Sequence, residues 1–157
     1  MTDFRRGVRI GVDVGKARVG VARSDPDGLL AVPVETVPRA KAAVARITAL
    51  ADEYAATEIL VGLPLNMQGE DTASTQDARD FAAAVAAASV VPVRLVDERL
   101  STVSAHAALR DAGRSQRNSR SIVDQVAAVV LLQQALDVEK SSGRPPGTPV
   151  PPAQESA

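Results

Sequence analysis

Val8-Arg9-Ile10-Gly11-Val12-Asp13-Val14-Gly15-Lys16 is the stretch whose alternation decides the fold. Val8, Ile10, Val12 and Val14 recur at every second residue, the period of a strand with one buried face, so Asp13 lies on the opposite face with Arg9 and Gly11. Residues 15–18 read as a turn into a second strand over 19–24, and Asp25-Pro26-Asp27-Gly28 as a turn into a third over 30–37. The opening is therefore an antiparallel meander of three strands. Beyond it the period changes: Ala43, Ile47, Leu50 and Tyr54 are spaced as on a helix within residues 39–55, and residues 58–63 form a buried strand. Asp71 or Thr72 can cap a helix running to about residue 88, and residues 90–97 form a fifth strand. Ser101 or Thr102 caps a short helix ended by Gly113, and a last helix starts near Ser119 or Ser121 and runs to about Glu139. The order βββαβαβαα predicts an α/β fold with a five-stranded mixed sheet, the meander joined to a parallel βαβαβ half and flanked by helices.

The chain has 157 residues, 45% of them apolar, which suits one ordinary domain. That domain is expected over residues 1–139, with its first element near residue 4. Residues 140–157 hold five of the ten prolines and read as a disordered tail with nothing to pack. The absence of cysteine excludes disulfide scaffolds, thiolate zinc sites and cysteine nucleophiles. Apolar runs such as 81–88 and 126–132 fall far short of the roughly 18 residues of a membrane span, and residues 1–11 offer no signal-like region. The expectation is a cytoplasmic protein without a membrane partner. Two Phe, one Tyr and no Trp argue against a single-strand binder built on stacking.

The net charge of −1 conceals a polarised distribution. Residues 1–23 carry Arg5, Arg6, Arg9, Lys16, Arg18 and Arg23 against Asp3 and Asp13, for +4; residues 94–120 carry six arginines against three acids, for +3; the remainder carries −8. Such asymmetry permits a polyanion-binding face and is equally open to a solvated surface with chance clustering.

Function in a sheet of this kind collects at the carboxyl ends of the parallel strands. The first strand ends on Asp13 between Gly11 and Gly15, where lack of side-chain bulk lets a phosphate or hydrated metal approach, although a turn aspartate bonding its own backbone has the same pattern. The fifth ends in Asp97-Glu98; adjacent residues point to opposite faces, so at most one shares the crevice with Asp13. Asp124 falls early in the last helix, on one face with Ala128 and Leu131, where Ser121-x-x-Asp124 also fits a capping box. Three carboxylates converging from separate elements suit hard divalent cations such as Mg²⁺ or Mn²⁺, which could align a water on a phosphodiester. His106 reads as an ordinary helix residue. Arg110, Arg114, Arg117 and Arg120 lead toward Asp124 and are expected to guide a nucleic-acid backbone, the alternative being a solvated linker whose cations offset a helix dipole.

Residues 11–22 (GVDVGKARVGVA), 61–69 (VGLPLNMQG), 97–102 (DERLST) and 123–128 (VDQVAA), in that order, resemble the four signature blocks of the YqgF/RuvX family. The resemblance implies an RNase H-like fold related to Holliday junction resolvases, and a nuclease acting in 5′-end maturation of precursor 16S ribosomal RNA in ribosome biogenesis, with cleavage of four-way DNA junctions as the alternative. It implies Asp13, Glu98 and Asp124 as metal-binding catalytic acids, Asp97 being the alternative to Glu98, with Mg²⁺ or Mn²⁺ as cofactor. Lys16, Arg18, Asn66, Arg99, Arg110, Arg114, Arg117 and Arg120 are the expected substrate-binding residues, and precursor rRNA or branched DNA, ribosomal particles and a second copy of the chain the expected partners. The block at 61–69 is expected to shape the cleft; it lacks the Lys-Ser/Thr of a phosphate-binding P-loop. Ser101-Thr102 stands where the family usually has Thr-Thr, a change that keeps a hydroxyl. The 11–15 stretch also resembles the first phosphate loop of actin-like and sugar-kinase ATPases, which need two such lobes, and a non-catalytic RNA-binding assembly factor would use the same face.

Overall fold

The computed structural model describes residues 5–98 and 120–151. The strands are β1 (Arg9–Val14), β2 (Arg18–Ser24), β3 (Ala31–Pro38), β4 (Glu58–Leu63), β5 (Val93–Asp97) and β6 (Thr148–Pro149); the helices are α1 (Ala43–Glu53), α2 (Ala73–Ala88) and α3 (Arg120–Ser142). They form one sheet in the order β3-β2-β1-β4-β5-β6. β1 pairs antiparallel with β2 and β2 with β3, whereas β1, β4 and β5 run parallel, so the meander and the parallel half meet at β1.

The expected five strands are corrected to six, and the extra one comes from the stretch read as having nothing to pack. α3 runs to Ser142, and Thr148–Pro149 add an antiparallel edge to β5. Backbone pairing holds this segment together with the buried Pro146 and with Val150, which packs against the larger core, a hold that the proline-rich composition concealed: Arg94 donates from Nε to the Pro146 carbonyl at 2.7 Å and from Nη2 to that of Gly147 at 3.1 Å, and the Val150 amide donates to the Val93 carbonyl at 2.8 Å. Proline is tolerated there because an edge strand need not donate outward. The short helix expected between Ser101 and Gly113 lies outside the described residues.

Period two sorts the sheet into two faces. Ile10, Val12, Val19, Val21, Ile59, Val61, Val93 and Leu95 pack with Ile47 and Leu50 of α1 and Phe81, Ala82 and Val85 of α2 in the larger core. Thr72 caps α2, its hydroxyl accepting from the Thr75 amide while the Thr75 hydroxyl accepts from the Thr72 amide. Among the described residues the opposite face is covered by α3, through Ala22, Leu60 and Val96 against Ala128, Leu131, Leu132, Ala135 and Leu136. Gln133 and Gln125 fasten α3 to the meander: Gln133 accepts from the Ala31 amide and donates to the Leu29 carbonyl, and Gln125 donates to Thr36.

Along this second face the chemistry changes from end to end. At the start of β1 lies an ion cluster: Arg5 donates to Glu58 and Glu139 at 2.9 Å, and Arg9, only 1% exposed, meets Glu139 at 3.3 Å. Burial alone would raise the Glu139 carboxyl, yet the hydrogen bonds and charges of Arg5 and Arg9 hold it below its ordinary value. Arg5 and Arg9 are thus internal counter-ions, and part of the positive charge summed over residues 1–23 is spent inside the fold. The other end of the same face carries Asp13.

Candidate active site

Asp13 is directly opposite Gly20 in the β1–β2 ladder, so their side-chain directions share the face covered by α3. A Cβ on Gly20 would overlap the backbone carbonyl of Asp124; only hydrogen at this position lets the first turns of α3 descend onto the sheet beside Asp13. Gly62 plays the same part for β5. A Cβ there would collide with the Glu98 carboxylate, which lies across the end of β4. The two glycines thus clear the space into which acids from three elements project.

Glu98 continues the alternation of Arg94 and Val96 and so shares the face of Asp13, with which its side chain makes a hydrogen bond. Asp97 lines a hollow beside Leu131, Gln134 and Pro146. Burial pushes the Glu98 carboxyl up to about 8, with the charge of Asp13, the hydrogen bond to it and the charge of Asp97 acting in the same direction. Burial and the charge of Asp124 raise Asp13 as well, while the hydrogen bond from Glu98 works the other way; the pair therefore holds a proton on Glu98, which donates to Asp13.

Asp124 is held differently. Arg18, at the head of β2 and two residues from Gly20 on the same face, donates from Nε to Asp124 Oδ2 at 2.8 Å. Among the described residues no three acidic or imidazole side chains are already gathered as a ready metal cage: Asp13 and Glu98 are joined, and Asp124 is turned to Arg18. The turn between Asp13 and Arg18 is braced by a residue that sequence reasoning missed. Arg39 donates from its amide to the Ala17 carbonyl and from Nη1 to that of Gly15, both at 2.9 Å, while its guanidinium grips Asp77 of α2 and lies over Phe81. An arginine following Pro38 carries no pattern that would have announced this.

Of the other expected substrate-binding residues, Lys16 is exposed on the β1–β2 turn. Asn66 closes its own loop, accepting from the Gln68 and Glu70 amides and donating to the Glu70 carboxylate. Arg99, Arg110, Arg114, Arg117 and His106 lie outside the described residues, as does the side chain of Arg120, which opens α3.

The raised acids make the metal-free fold sensitive to alkali. Between the ordinary glutamate value of 4.5 and about 8, the folded protein keeps a proton on Glu98 that the unfolded chain has lost. The stabilisation is therefore full below the lower value and disappears as pH rises through the upper one. In chelator, thermal melts should show a falling midpoint from pH 6 to pH 9, and Glu98→Gln should flatten that fall and raise the midpoint at pH 9. A profile equally steep in the variant would contradict this origin.

A mixed sheet in this strand order, flanked by helices, has the RNase H-like fold, with acids at the ends of β1 and β5 and on the helix crossing them. Two structures of Thermus thermophilus RuvC, one in complex with a Holliday junction substrate, superpose with TM-scores of 0.56 and 0.54. They share 16% and 15% sequence identity with this chain, and the matches cover 91% and 90% of it and 99% of each RuvC chain. The profile of the RuvX family, described as Holliday junction resolvase, matches residues 7–138, and the chain belongs to that family. Relatives carrying the name "Putative pre-16S rRNA nuclease" include those of Clavibacter michiganensis subsp. michiganensis, 58% identical with 94% of each chain covered, and Leifsonia xyli subsp. xyli, 53% identical with 95% of this chain and 97% of the other covered.

Proposed function

We propose that this protein is a divalent-metal-dependent endonuclease acting in 5′-end processing of precursor 16S ribosomal RNA. The convergence of Asp13, Glu98 and Asp124 on one end of the α3-covered face carries the reading. The donor set fits a hard cation: all its atoms are carboxylate oxygens, and the proton shared by Asp13 and Glu98 marks a site short of positive charge. Asp13, Glu98 and Asp124 would hold Mg²⁺ or Mn²⁺, which when bound supplies an activated water and neutralises charge on the leaving oxygen. The protein's own part is positional. Gly20 and Gly62 admit the acids, Arg39 fixes the turn that carries Asp13 and Arg18, and Lys16 and Arg18 offer positive charge at the rim to phosphates. The arginines at 99, 110, 114, 117 and 120 extend that positive charge along the sequence, and the Asn66 loop follows β4, whose Gly62 meets Glu98. The substrate would be met in the cytoplasm, on ribosomal particles.

A second reading, cleavage of four-way DNA junctions by a two-fold dimer, is favoured by the description of the family. One panel separates the two: precursor rRNA and a four-way junction, each with Mg²⁺ or Mn²⁺, cut by wild type and by Asp13→Asn. The expected result is metal-dependent cleavage of the rRNA, lowered at least about a thousandfold in the variant. Cleavage that persists in a folded Asp13→Asn protein removes the site, and cutting of the junction alone moves the function to recombination. No cleavage of either substrate by wild type favours an RNA-binding assembly factor.

A further inference from the structure

Arg18 and Asp124 stand out because a guanidinium occupies the edge of a carboxylate that the proposed reading assigns to a metal. The contact is a direct one, 2.8 Å from Nε to Oδ2, and only 19% of the Asp124 side chain is exposed. The Arg18 backbone cannot follow its side chain away, for its carbonyl accepts from the Gly15 amide at 2.9 Å and the adjoining Ala17 carbonyl from Arg39 at 2.9 Å. The side chain itself is 34% exposed, so solvent lies within its reach. A divalent cation and a guanidinium cannot share one carboxylate edge without direct charge repulsion at a half-buried site.

We propose that Arg18 is a built-in counter-cation, which occupies Asp124 in the metal-free protein, is displaced when a divalent ion binds, and then turns its freed guanidinium to a substrate phosphate at the same rim. This rests on the reading of Asp124 as a metal ligand. It reverses the usual expectation for an arginine beside a metal site: if Arg18 merely oriented Asp124, removing it would weaken metal binding, whereas a competitor's removal strengthens it.

The test uses the full chain and Mn²⁺ alone, titrated calorimetrically into wild type, Arg18→Gln, Arg18→Lys and Asp124→Asn, with folding checked by circular dichroism. Arg18→Gln should bind Mn²⁺ about fivefold or more tightly than wild type, the scale of an ordinary coupling between two ligands of one site. Arg18→Lys, which keeps the charge, should stay within about twofold of wild type. On wild type, the Arg18 Nε–H resonance in a nitrogen-edited spectrum should move on titration with Mg²⁺, as its hydrogen bond to Asp124 is given up. Equal or weaker Mn²⁺ binding by Arg18→Gln overturns the exchange, as does an Nε–H signal unmoved at Mg²⁺ saturation. Should Asp124→Asn bind Mn²⁺ like wild type, the metal site itself fails, and that outcome is distinguishable from failure of the exchange alone.

Discussion

Gly20→Ala should cost the protein both its stability and its activity, although it adds one methyl group. The atom that the methyl meets is the carbonyl oxygen of Asp124, part of a helix backbone, and a helix cannot rotate aside as a side chain can. α3 must therefore lift at its N-terminal end, which loosens its contacts around Ala128 and carries Asp124 away from Asp13. Overpacking of this kind costs about 1–3 kcal/mol. For a domain of this size that is a fall of roughly 2–12 °C in melting temperature. With Asp124 in its proposed role as a ligand, a displacement of about 1 Å should lower the rate about a hundredfold. Thermal melts and a cleavage assay at saturating metal measure the two effects separately. An alanine variant with wild-type stability and rate would show that α3 does not depend on this contact.

The largest effect on stability alone is expected from Glu139→Gln. Its carboxylate accepts from the Arg5 amide, from Arg5 Nε and Nη2, and from Arg9 Nη2. Burial lowers the pKa of Arg9, yet the guanidinium keeps its charge, and Glu139→Gln takes away the carboxylate that it meets at 3.3 Å. Breaking a buried pair from one side costs about 3–5 kcal/mol, or roughly 6–20 °C here. By contrast Glu35→Gln, which breaks an ion pair with the exposed Arg46, should leave the melting temperature nearly unchanged. Replacing Arg9 and Glu139 together by leucines should recover part of the loss, because no charge is then left stranded. Equal melting temperatures for Glu139→Gln and Glu35→Gln would mean that the cluster contributes no more than a surface pair.

What the sequence made legible follows from periodicity. The alternation through β1 placed Asp13 opposite the valines; between Asp97 and Glu98 alternation said only that at most one could join it, and the structure puts Glu98 on that face. Helical spacing likewise put Ala128 and Leu131 on the packed face of α3 with Asp124 at its head. Other features leave no periodic trace. Arg5, Arg9, Glu58 and Glu139 look like surface charges until a fold brings together groups as far as 134 residues apart. The sixth strand escaped notice because its hold on β5 is made largely by main-chain atoms and Arg94, with Pro146 and Val150 the few side chains that pack, too few for composition to weigh. Arg18 was legible as a cation near the acids, but its pairing with Asp124 depends on the descent of α3 onto Gly20.

The placement of α3 sets an order on biosynthesis. Five strands of the sheet precede it in the chain, and among the described residues it is the helix that shields Leu60, Val96 and Ala22. At a translation rate of about 5–20 residues per second, that face waits for this cover until the last quarter of the polypeptide is being made. A chain halted before residue 120 has Asp13 and Glu98 but neither the apolar side of α3, nor Asp124, nor the Glu139 end of the ion cluster. The helix that brings the third of the proposed ligands is also the one that packs on this face, so a stalled fragment lacks the packing and the acid at once.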